Sequence, residues 1–127
     1  MIFFVLMCRK ESCPPTSPAG NMDPSFTSEI QPIFTDKCAG PNCHDVTASG
    51  RLNLSEGQAY TNIVNVQSSQ DQSFMRVLPG DAESSYLVKK IEGDPDISGF
   101  KMPMKGELEN SELSLIKNWI NQGAKNN

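Results

Sequence analysis

Apolar residues return every three or four positions in four separate stretches of the chain, and no stretch alternates apolar with polar residues as a half-buried strand does. The first stretch, SFTSEIQPIFTDKC over 25–38, puts Phe26, Ile30, Ile33 and Phe34 on one face. Ser28 and Gln31 read as an S-x-x-Q capping box, and Pro32, just inside it, predicts an irregular start. The second, SEGQAYTNIVNV over 55–66, repeats that signal at Ser55 and Gln58, with Ala59, Tyr60, Ile63 and Val64 on a shared face. The third, DAESSYLVKKIEG over 81–93, takes Asp81 as cap, turns Leu87, Val88 and Ile91 inward and ends at Gly93. The fourth, ENSELSLIKNWINQGA over 109–124, carries the stripe Leu113, Ile116, Trp119 and Ile120, with Gly123 placed for a C-cap. Between the last two lies GDPDISGFKMPMKGEL, a Gly- and Pro-rich loop. The pattern predicts an all-α domain of about four helices, without internal repeats.

That domain is expected over 25–127. Residues 9–24, with four prolines and little apolar material, read as an extended tether. Residues 1–7 are wholly apolar and are followed by Cys8. The run is far shorter than the roughly 20 residues a membrane span needs. It reads as the tail of an export signal, and residues 1–8 resemble a partial lipoprotein signal in which Cys8 becomes the lipidated N-terminus. The expectation is a periplasmic or otherwise extracytoplasmic protein, held at a membrane by lipid on Cys8. Cys13 then has no evident partner.

Composition narrows the function classes. The chain of 127 residues carries 11 Lys and Arg against 15 Asp and Glu, a net charge of −4. Without clustered positive charge, nucleic acid is excluded as a partner. Aromatic residues make up 7% of the chain, a thin supply for a core, which an embedded apolar cofactor would complement.

The chemistry concentrates in TDKCAGPNCHDV, residues 35–46, where Cys38 and Cys43 precede His44, the only histidine. A structural zinc site wants four ligands in two pairs, and this stretch offers at most three. A Cys38–Cys43 disulfide needs only an oxidising compartment and stays open. A redox thiol pair expects Cys-x-x-Cys beside a βαβ pattern, and neither is present. A covalent haem site uses both thiols as thioethers and the following histidine as iron ligand. Its usual signature is Cys-x-x-Cys-His, and here the spacer is longer by two residues. The spacer Ala39-Gly40-Pro41-Asn42 reads as a β-turn from Gly40 to Cys43, with Pro41 second and Asn42 third, so the extra residues bulge while the sulfurs stay close. A haem held by one histidine needs a second axial ligand to pass electrons, and a methionine serves. The loop supplies Met102 and Met104; Met102, stiffened by Pro103, is the preferred ligand.

Residues 25–127 resemble the small monohaem class I c-type cytochromes. The matching pieces are FTSEIQPIFTDKCAGPNCH, RLNL, LPGDAESSYLVKKIEG, KMP and LSLIKNWINQGA, in the family's order. The resemblance implies a cytochrome c-like bundle around one covalent haem c, with thioethers at Cys38 and Cys43 and axial ligands His44 and Met102. It implies an electron carrier rather than an enzyme, cycling between Fe(II) and Fe(III), with redox proteins as partners, such as a separate dehydrogenase or oxidase. It also suggests that the first and last helices cross near Cys38 and Trp119, with Trp119 a packing residue. Arg51 and Arg76 are candidates for pairing with haem propionates. Glu109 stands where the family has a better capping residue. Two rival readings remain: a haem domain with an open sixth site for ligand binding or peroxidase chemistry, and a haem-free exported domain with a disulfide.

Overall fold

The computed structural model describes residues 23–127. Four helices make up the frame: α1 over residues 26–38, α2 at Ala59–Ile63, α3 at Tyr86–Glu92 and α4 at Asn110–Asn121. Single 3-10 turns stand at Ser49–Arg51 and Ala82–Ser84. Among the described residues there is no β-strand, only the isolated bridges Val64–Val77 and Gln67–Met75. The all-α expectation holds. The export signal, Cys8, Cys13 and the tether as far as residue 22 lie outside the described residues.

Pro32 shapes α1. Proline has no N–H, and inside a helix its ring presses on the carbonyl one turn back. The chain answers with wide turns on either side: the Gln31 N–H reaches the Phe26 carbonyl, and the Ala39 N–H reaches the Phe34 carbonyl. The cap is Ser25, not Ser28: Ser25 Oγ accepts from the Ser28 N–H at 3.1 Å, and Glu29 Oε1 accepts from the Ser25 N–H at 3.1 Å. Gln31, freed from capping, is buried.

The other caps also depart from expectation. Ser55 does not cap α2; its N–H donates to Asn53 Oδ1 at 2.9 Å, and Gln58 stands at the N-cap without a side-chain bond. The third stretch divides in two because Ser85 is extended (φ −87°, ψ 125°). Its hydroxyl donates to the Asp81 carbonyl at 2.9 Å and accepts from the Leu78 N–H at 2.8 Å. Asp81 therefore caps the short turn Ala82–Ser84, accepting from the Ser84 N–H at 3.2 Å, and α3 starts after it. Helix α4 closes as its glycine predicts. The Gly123 N–H reaches the Ile120 carbonyl at 2.9 Å and the Ala124 N–H reaches the Trp119 carbonyl at 2.8 Å, a Schellman pair with Gly123 at φ +110°.

The core forms where α1 meets α4. Phe26 lies 5.1 Å from the Trp119 ring, while Lys37 at the other end of α1 pairs with Glu112 at 3.7 Å. The two helices thus run in opposite directions. Cys38 and Trp119 sit at opposite ends of the contact, not at one crossing point. Trp119 is 1% exposed, and its indole N–H donates to the Lys125 carbonyl at 2.8 Å. The start and end of the domain are laced together: the Thr27 N–H donates to the Asn127 carbonyl at 3.0 Å, and Asp23 pairs with Lys125 at 3.1 Å. Pro24 is fully buried, so the packed domain begins before Ser25 and takes the end of the expected tether with it.

Trp119→Ala should lower unfolding free energy by about 3–5 kcal/mol, a large part of the roughly 5–15 kcal/mol of a typical domain, measured by urea denaturation. Lys117 of α4 meets Glu92 Oε2 at 2.6 Å and Glu83 Oε2 at 3.1 Å, and its hydrogen bond to Glu92 raises its pKa above the ordinary 10.5. Its stabilising effect is complete below 10.5 and fades as pH rises through the higher folded value. A series of melts from pH 9 upward should show an alkaline decline that is smaller in Lys117→Met.

Candidate functional site

The loop after α1 is built by backbone hydrogen bonds that draw its ends together. The Cys43 N–H donates to the Gly40 carbonyl at 2.9 Å, closing the expected β-turn. Asn42 at its third position has φ +64°, the mark of a type II turn and a conformation asparagine tolerates. The His44 N–H then donates to the Cys38 carbonyl at 3.0 Å, so the four-residue spacer bulges out of a closed ring. Both thiols are free; Cys38 is half-buried against the core and Cys43 is exposed.

His44 is fixed at two further points. Its carbonyl accepts from the Leu54 N–H at 2.7 Å, and its ring Nδ1 stands 3.2 Å from the Leu52 carbonyl. The Leu54 carbonyl in turn accepts from Gln31 Nε2 at 2.9 Å. A buried carboxamide on α1 thus holds the segment that orients the imidazole. A carbonyl can only accept, so Nδ1 is the donor in this contact, and in the neutral imidazole that leaves the lone pair on Nε2, the arrangement that orients metal-ligating histidines.

Burial pushes the Cys38 thiol up to about 12, with the Glu112 carboxylate and Cys43 adding to the effect. A thiol so raised is a poor nucleophile by itself, the reverse of the low-pKa cysteine of a redox pair. Among the described residues no group of three or more His, Cys, Asp or Glu side chains is placed to hold a metal ion.

Met102 stands in the loop between α3 and α4. Its N–H donates to the Lys90 carbonyl at 2.8 Å, and its side chain is partly buried in the wall of an open cavity of about 690 Å³. That size falls within the usual range for cofactor pockets. The lining is mixed: Ile91, Leu108 and Leu113 are apolar, Glu92, Lys101, Glu107 and Asn110 are polar, and Phe100 and Met104 in the same wall are 71% and 65% exposed. Cys38, Cys43 and His44 do not line this cavity. The link between the two halves is the first turn of α4: Glu112 acts on Cys38 and pairs with Lys37, and the next residue, Leu113, lines the cavity.

Arg76 is engaged elsewhere. Its Nη1 donates to the Asn62 carbonyl at 2.8 Å and its Nη2 to the Arg51 carbonyl at 3.1 Å, so it braces the chain. Arg51 is exposed with φ +64°. Gln31 and the Leu52 carbonyl escaped the sequence reading. S-x-x-Q made Gln31 look like a cap, and a backbone acceptor leaves no mark in a sequence.

Comparison of the chain with protein-family models, with curated proteins and with solved structures gives no match. Among the described residues no helix is long and apolar enough to cross a membrane.

With the imidazole neutral, long-range ¹H–¹⁵N NMR should find the His44 proton on Nδ1. Gln31→Ala should destabilise the domain by about 1–3 kcal/mol, the cost of leaving a buried carbonyl without its donor, and make the Nδ1 tautomer less dominant.

Proposed function

We propose that this chain is an electron carrier of the cell envelope, with one haem c attached through Cys38 and Cys43 and held axially by His44 and Met102. The observation that carries the reading is the state of the 38–44 loop: two free thiols and one imidazole in a hydrogen-bonded ring, with Nδ1 occupied by the Leu52 carbonyl and Nε2 available. That donor set fits a covalent haem. The bound group supplies one-electron chemistry between Fe(II) and Fe(III).

The chain's own residues do the rest. Cys38 and Cys43 tether the group beside α1. The Leu52 and Leu54 contacts hold the imidazole in one orientation, which limits ligand rearrangement between oxidation states. Met102 would contribute a soft thioether that favours the reduced metal. Met102 is the better candidate over Met104 because its backbone is bonded to α3 and its side chain is partly buried, while Met104 is 65% exposed. If His44 and Met102 both held the metal, substrate would not reach it, and the domain would serve as a carrier rather than an enzyme. The helical frame is consistent with a class I cytochrome c-like arrangement. The apolar segment ending at Cys8 supports export and lipid anchoring, which would keep the domain near membrane redox proteins.

The test is maturation with a haem-attachment system, then optical titration. The expected product is low-spin, takes up one electron reversibly and binds carbon monoxide poorly. Met102→Ala should turn it high-spin and open to carbon monoxide, while Met104→Ala leaves the spectrum unchanged. A wild-type product that is high-spin and binds carbon monoxide readily would favour the open-site reading.

A further inference from the structure

The segment from Ser98 to Met102 is strapped to α3 by two side chains one helical turn apart. The Ser98 N–H donates to the Tyr86 hydroxyl at 2.9 Å, and the Ser98 carbonyl accepts from Lys90 Nζ at 2.8 Å. The backbone of one residue is thus gripped at both its donor and its acceptor. At the far end of the segment the Met102 N–H returns to the carbonyl of the same Lys90 at 2.8 Å. Five residues of loop, 98 to 102, are held at both ends by one lysine, with the tyrosine sharing the first hold.

Lys90 is an expensive way to build such a contact. It is 8% exposed, and among the described residues no carboxylate stands within 4.0 Å of its ammonium. A partly buried ammonium without a counter-charge within that distance loses hydration on folding, whereas a methionine of similar length would fill the space at lower cost. What the ammonium adds is a charge-assisted hydrogen bond to a loop carbonyl. The surroundings fit a fixed loop. Gly99 leaves its α-carbon bare where a Cβ would stand 3.6 Å from Lys90 Nζ, and the Lys101 stem lies over Gly93 at the end of α3, 3.0 Å from where a Cβ would be. Phe74 lies tilted against Tyr86 at 5.9 Å and carries the Lys89 ammonium over its own ring at 5.1 Å, which steadies the tyrosine from outside the loop.

We infer that Tyr86 and Lys90 are positioning residues: they moor the loop on α3 and so set where the Met102 thioether stands. This rests on the reading of Met102 as an iron ligand, but the mooring itself has a readout that needs no haem.

The variants are Tyr86→Phe, which keeps the ring and removes one hydroxyl, and Lys90→Met, which keeps length and packing and removes the charge. Amide hydrogen exchange at Ser98 and Met102 should speed up by roughly tenfold in each, the scale of losing one strong hydrogen bond. The melting temperature of Lys90→Met should hold or rise, because a buried charge has gone. A merely structural lysine would instead lower it, with no selective effect on the loop. In the haem-loaded protein both variants should lose part of the low-spin ferric signal. A chain that takes up no haem ends the proposed function, and the exchange rates then decide the mooring. Unchanged exchange at both amides overturns the inference. So does faster exchange with a wild-type low-spin spectrum in the loaded variants, since the strap would then not place the thioether.

Discussion

The hydrogen bond from the His44 N–H to the Cys38 carbonyl, 3.0 Å long, closes the ring on which the candidate site depends. It brings the residues carrying both thiols and the imidazole into one small unit, whatever the length of the spacer between the cysteines. The spacer fits because Asn42 accepts a left-handed conformation and the Cys43 N–H turns back to Gly40. The ring is seated on α1, whose last turn is wide and ends at the Ala39 N–H to Phe34 carbonyl bond. Behind it, the Gln31 carboxamide fixes Leu54, and the Leu52–Leu54 segment fixes His44. Loss of the ring bond would leave two cysteines and a histidine close in sequence but with no common geometry.

The first turn of α4 joins this ring to the methionine loop. Glu112 accepts from the Glu109 N–H at 2.9 Å, pairs with Lys37 and raises the Cys38 thiol, while Leu113 beside it lines the cavity next to Met102. Glu109 is a weak capping residue by type, and Glu112 makes up part of the deficit by taking its N–H. The same carboxylate therefore helps start the helix and ties α1 to it. Burial, with the Glu112 carboxylate adding to it, keeps Cys38 protonated, the reverse of the low-pKa cysteine of a redox pair.

The helices were legible because their apolar residues recur at helical spacing: Ile116, Trp119 and Ile120 in α4 are buried as the stripe predicts, and so are Val88 and Ile91 in α3. Caps were less legible. S-x-x-Q appears twice and caps nothing, because Pro32 widened one turn and released Gln31 to the core, and Asn53 took Ser55. Ser85 broke the third helix through hydrogen bonds to residues on the preceding loop, a tertiary effect that local pattern does not carry. In the site, side-chain chemistry marked Cys38, Cys43, His44 and Met102. The groups that orient them were hidden, since the carbonyls of Leu52, Leu54 and Lys90 look alike in any sequence, and Lys90 itself reads as one of many surface lysines.

The central claim is that the closed loop at 38–44 carries a covalent haem. The most direct measurement is mass spectrometry of the proteolytic peptide spanning Cys38 to His44, taken from chain matured with a haem-attachment system and denatured beforehand. The account predicts one haem retained on that peptide, through two thioethers. A peptide of unmodified mass, with both sulfurs free or joined to each other, would contradict it.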